Sequence, residues 1–172
     1  PAPFVHKMDF YSIVSTHEGH DGKQVTSQVL NIRRFDMPTE DVIEHLQLEP
    51  GTPVVYIKRL FLFDDKPLAV GRSWLSLARF PGLDETGLGE KGLTATLRSR
   101  YNTIIRRFND AIEAVRPAPD ERNLLDVSYD CPLLMVRGLS FDQHNVPVEY
   151  STTYWLGDKV RFTVSMNTQE VE

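Results

Sequence analysis

The chain has 172 residues, 41% of them hydrophobic and 25% charged, which suits one domain with a sizeable core. Its net charge of −5 and pI near 5.5 argue against a surface that grips nucleic acid unaided, since that needs a basic face. No apolar run approaches the roughly 18–20 residues of a membrane-spanning helix, and the single Cys131 excludes an internal disulfide and fits a reduced, cytoplasmic setting.

The start, Pro1-Ala2-Pro3-Phe4, is neither a signal peptide nor an initiator Met, so residues 1–172 are expected to be one domain of a longer protein. The first twenty residues read as irregular, and the polar, Gly-containing 15–23 as a loop. Residues 24–35 alternate Val25, Ser27, Val29 and Ile32 with polar neighbours and are expected to be a strand. Helix punctuation follows: Thr39 as N-cap, Glu40 and Asp41 in the first turn, Val42, Ile43 and Leu46 on one face, and Pro50-Gly51 as the stop. Residues 53–63 and 67–77 form a hairpin around Asp64-Asp65-Lys66, expected to have one of the longer loops.

Leu93, Leu97 and Tyr101 recur at helical spacing, so 90–101 is expected to be a helix. Residues 102–115 are ambiguous between helix and strand; the apolar set Ile104, Ile105, Phe108, Ile112 and Val115 favours a long strand. Residues 117–127 read as a short helix with Pro and acidic residues at its start. Three strands close the chain at about 132–141, 146–155 and 160–167, the last two flanking a short turn at Leu156-Gly157-Asp158-Lys159. The hairpins imply an α+β fold with a mainly antiparallel sheet and flanking helices.

Little of the chemistry-bearing sequence has a recognised pattern. His17 and His20 have metal-ligand spacing, but Gly19 and Gly22 place them in a solvated loop, so no metal site is expected. There is no nucleophile elbow, phosphate-cradling loop or dinucleotide fingerprint, so neither catalytic residues nor a cofactor are assigned. Arg59 stands out. Its strand is apolar on both faces, and Lys58 and Arg59 point to opposite sides. One of them reaches solvent. The other must find an anion or a carboxylate, because a buried unpaired charge is costly. Arg72 lies on the next strand, and Glu149 sits among Val146, Val148, Tyr150, Tyr154 and Trp155. Either Arg59 forms an internal ion pair with a Glu or Asp, Glu149 among the candidates, or it faces a ligand.

The phrase Leu46-x-Leu48-x-x-Gly51-x-x-Val54, the Arg59 strand, and Asp64-x-x-Pro67-Leu68-Ala69 occur in that order. Pro132-Leu133-Leu134, Pro147-Val148-Glu149-Tyr150-Ser151 and Arg161-Phe162 follow. Over about Phe10 to Met166 the chain resembles the UTRA domain, the effector-binding domain of GntR-type transcriptional regulators of the HutC/FarR branch. The resemblance implies a chorismate-lyase-like fold, a homodimer, and a small anionic effector such as an organic acid or phosphosugar. It also implies that the effector allosterically controls operator binding, with DNA contacted only through an N-terminal winged helix-turn-helix missing from this chain.

The resemblance further implies a ligand-binding set of Arg59, Glu149, Phe61, Trp155, Gly71, Arg72, Thr94, Tyr11 and Ser12. Four of these positions depart from the family pattern or neighbour such a departure. Phe61 stands where phosphosugar binders have a second Arg. Gly71 stands where a Glu is common. Gly92 and Thr94 stand where an aromatic or Ser lines the pocket, and Trp155 where a Tyr is usual. Phe10, Tyr11 and Ser12 fall where backbone amides and a hydroxyl cap an anionic end. These departures favour a small organic acid with an apolar part over a phosphosugar. A chorismate-lyase-like enzyme acting on an aromatic acid and a ligand-free dimerisation module remain as alternative readings.

Overall fold

The computed structural model describes residues 4–7 and 25–163. Strands β1 (Phe4–Lys7) and β2 (Val25–Phe35) precede helix α1 (Glu40–Leu46). Strands β3 (Val54–Phe63) and β4 (Lys66–Ser76), helices α2 (Leu83–Thr86) and α3 (Leu93–Tyr101), and strand β5 (Ile105–Val115) follow. Helix α4 (Pro119–Leu125) leads into β6 (Leu133–Asp142), β7 (Pro147–Leu156) and β8 (Val160–Thr163). The main sheet has six strands in the order β2-β3-β4-β7-β6-β5, and every neighbouring pair in it is antiparallel. The expected α+β class is therefore found, and residues 102–115 contribute a strand.

Local signals explain the helix ends. Thr39 caps α1, its hydroxyl accepting from the Val42 N–H at 3.4 Å. Asp126 ends α4 and Asn102 ends α3, both in left-handed conformation, a role open to short polar side chains.

Three expectations need correction. The β3–β4 hairpin has a two-residue turn: Phe63 pairs with Lys66, and Asp64 and Asp65 both have positive φ, 52° and 60°. That geometry matches the natural twist of the strands, so the hairpin needs no longer loop. The irregular beginning contains β1, and the helical turn α2 lies in a stretch given no structure from sequence. The sequence left the partner of β8 open, and β8 does not pair back on β7 across the 157–159 turn. It pairs in parallel with β1, because β4 and β6 already occupy both edges of β7.

Strand alternation divides the core. On one face Val55, Ile57 and Leu75 pack under Leu93 and Leu97 of α3. Farther along the same strands, Phe61, Ala69 and Trp155 pack with Val25 and Val160. Between these two apolar clusters β3, β4 and β7 carry Arg59, Ser73 and Glu149. On the other face α1 covers Val54 and Tyr150, and α4 covers Val70, Leu133 and Leu156.

Candidate functional site

The polar band between the two clusters is the candidate site. In register, Arg59 lies opposite Gly71, Gly71 opposite Thr153 and Thr153 opposite Val136. One pair along, Ser73 faces Ser151, Ser151 faces Gly138 and Gly138 faces Asp110. Residues far apart in sequence thus form cross-strand rows on one face.

Arg59 is 2% exposed and Glu149 5% exposed. Their closest atoms, Nη2 and Oε2, are 3.5 Å apart. Ser73 stands between them. Its Oγ accepts from Arg59 Nη2 at 3.2 Å and donates to Glu149 Oε2 at 2.5 Å. Burial pulls the Arg59 guanidinium below its ordinary pKa, while the charge of Glu149 pushes it back up. Arg59 Nε and Nη1 are buried without a hydrogen-bond partner, and the guanidinium lies 5.1 Å from the centre of the Phe61 ring. Two of its donor sites are therefore uncommitted.

The departures at Phe61 and Gly71 fit each other. A Cβ on Gly71 would lie 2.8 Å from Phe61 Cε2, so Gly71 makes room for the ring. Phe61 in turn stacks on Trp155, with centroids 6.0 Å apart and planes at 18°. Both rings are buried, forming one end wall of the band.

A narrow cleft opens beside Glu149, with a cavity volume of about 10 Å³, room for about one water-sized group. Its lining includes Ser151 and Thr153 of β7, Val136 and Ser140 of β6, and Asp110 of β5. Burial, with the nearby charge of Glu149 second, pushes the Asp110 carboxyl up to about 6. Asp110 Oδ2 and Ser140 Oγ are buried without a hydrogen-bond partner. The sequence reading missed both. The only available clue was an Asp inside a strand whose alternation is weak.

The structure gathers Arg59, Glu149, Phe61, Gly71 and Trp155 on one face. It does not bring Arg72 to them. Arg72 projects to the other face, where it meets Glu121 at 2.7 Å and Asp120 at 2.6 Å on α4. Thr94 is half-buried in the first turn of α3, with Gly92 as the preceding cap. Phe10, Tyr11 and Ser12 lie outside the described residues, as do His17 and His20. Among the described residues, no group of three or more His, Cys, Asp or Glu is placed to hold a metal, and no helix is long and apolar enough to cross a membrane.

The UTRA domain model matches residues 20–161. This chain belongs to the UTRA domain family. The match covers the site's strands and all four helices. The chain is 29% identical over 135 residues to the HTH-type transcriptional repressor PhnF of Mycolicibacterium smegmatis, covering 78% of this chain and 55% of that protein. It therefore spans about half the length of the curated relatives it matches. The crystal structure of the effector domain of PhnF from Mycobacterium smegmatis superposes with a TM-score of 0.79 at 26% identity, covering 86% of this chain and 90% of that one. A GntR-family transcriptional regulator from Enterococcus faecalis V583 shares the UTRA fold at a TM-score of 0.71 and 22% identity, covering 82% of this chain and all of that one.

Proposed function

We propose that this UTRA domain is the effector-sensing part of a bacterial GntR-type transcriptional regulator. In this reading a small metabolite binds beside Arg59 and Glu149 and shifts a homodimer between geometries of different operator affinity. Such coupling requires the metabolite to favour one geometry over the other. The DNA contacts belong to a helix-turn-helix domain outside this chain, in keeping with the relatives' names and with this chain's acidity. The regulator works in the cytoplasm.

The observation that carries the reading is the buried Arg59–Ser73–Glu149 relay with uncommitted guanidinium donors at Nε and Nη1. A pair built only for stability gains little from burial, because desolvation offsets the attraction. A guanidinium held in place with spare donors is suited to a carboxylate or phosphate. Phe61 and Trp155 at the end wall favour a small acid with an apolar part.

A thermal-shift screen against phosphosugars, aromatic acids, amino acids and short dicarboxylates tests the reading. A ligand that binds only the folded chain raises its melting point by mass action. We expect a hit that is lost in Arg59→Lys and Glu149→Gln and that changes operator affinity of the full regulator. Silence across the set, with a stable dimer in solution, would favour a ligand-free dimerisation module.

A further inference from the structure

The charged groups on the two faces of the sheet are balanced differently. On the α4 side, Lys58 and Arg72 meet Asp120, and Arg72 also meets Glu121, so opposite charges are matched locally. At the cleft the balance is incomplete. Glu149 has Arg59, but Asp110 has no cation among the described residues, and the charge acting on it is that of Glu149. Asp110 Oδ2 and Ser140 Oγ are buried acceptors with nothing donating to them, and both line the cleft. Ser140 is only 3% exposed. In a buried site such groups require a partner.

The placement depends on Gly138. It lies between Asp110 and Ser151 in register, and a Cβ there would collide with Asp110 Oδ1 and with the Asn109 carbonyl. A bare position in the middle of β6 lets the edge strand bring its carboxyl over the sheet. Ser140 is the next residue on the same face, directly opposite Glu149. Three oxygens from three adjacent strands thus face one small space.

Resting on the effector-sensing reading, we propose that the effector carries a protonated amine and that Asp110, Ser140 and Glu149 select it. An ammonium group offers a compact positive charge and three N–H donors. It supplies the missing counter-charge for Asp110 and satisfies the Ser140 oxygen. A neutral hydroxyl supplies one donor and no charge. Arg59 lies on the same face, buried and not on the cleft lining, and in the proposed function it takes the acid end. The ligand class is therefore a small zwitterion, with its amine toward β5 and β6 and its acid toward β3.

Matched probes test this on the 172-residue chain by thermal shift and titration calorimetry. The amine arm is glycine, β-alanine and 4-aminobutyrate. The hydroxyl arm is glycolate, 3-hydroxypropionate and 4-hydroxybutyrate. We expect at least one amine to bind while its hydroxyl counterpart does not. We expect Asp110→Asn to weaken that binding about tenfold or more, as loss of a charge-assisted hydrogen bond does, with an unliganded melting point no lower than the parent's. Ser140→Ala should weaken it less. Equal binding of both arms, or an amine unaffected by Asp110→Asn, would overturn the proposal. If neither arm binds but a phosphosugar, aromatic acid or dicarboxylate does, the amine is wrong and the effector-sensing reading stands. Silence from every probe overturns both.

Discussion

Arg59 and Glu149, 90 positions apart in sequence, meet through one hydroxyl: Ser73 accepts from the guanidinium and donates to the carboxylate. Both ends are buried, so each depends on the other. Removing one partner should leave an unpaired buried charge, costing about 3–5 kcal/mol. We expect Arg59→Ala and Glu149→Ala each to lose that much in urea unfolding. The double variant Arg59→Met/Glu149→Leu should be more stable than either single change. A double variant as unstable as the sum of the singles would mean that the two residues are not coupled.

Gly71 and Phe61 form a complementary pair. Gly71→Ala places a methyl 2.8 Å from the Phe61 ring, in a cluster with little room to move. The expected cost is about 1–3 kcal/mol, the usual range for overpacking. Phe61→Leu alone should also destabilise, by opening space beside Trp155. The two together should cost less than their sum, and a melting series over the four proteins reads this directly.

Asp110 gives the domain a signed pH dependence. Its carboxyl titrates at about 6 in the folded chain against an ordinary 3.8. The folded state therefore holds this proton over a range in which the unfolded state has lost it. The stability contribution is present in full below about 3.8 and falls as pH rises toward 6 and beyond. Across the cleft the facing charge is Glu149 of β7, while β6 presents Gly138 and Ser140. Asp110→Asn should remove this slope. Unfolding measured from pH 4 to 7.5 should show the variant gaining on the parent as pH rises.

Arg72 distinguishes the two faces. It joins β4 to α4 through Asp120 and the buried Glu121. Arg72→Ala should cost about 3 kcal/mol by leaving Glu121 uncompensated, and hydrogen exchange should rise in α4. Affinity for any cleft ligand should stay within about twofold, since Arg72 lies on the other side of the sheet. A large loss of affinity without loss of stability would place Arg72 in the site after all.

What the sequence by itself determined is local. Alternation marked most of the strands, Thr39 and Pro50-Gly51 bounded α1, and the ordered phrases around Arg59 and Glu149 carried the family. The buried charge on β3 also required a partner, and Glu149 was the carboxylate named for it. Tertiary structure decided which faces meet. Arg59 and Arg72 look equivalent as cations on a hairpin, yet pleating and register send them to opposite sides of the sheet. The partner of β8 could not be read from its short turn, because whether β7 has a free edge depends on strands distant in sequence. Asp110 was invisible for the same reason. Its environment is made by a glycine, a serine and a glutamate on other strands, and a cross-strand row exists only once long-range pairing has brought β5, β6 and β7 side by side.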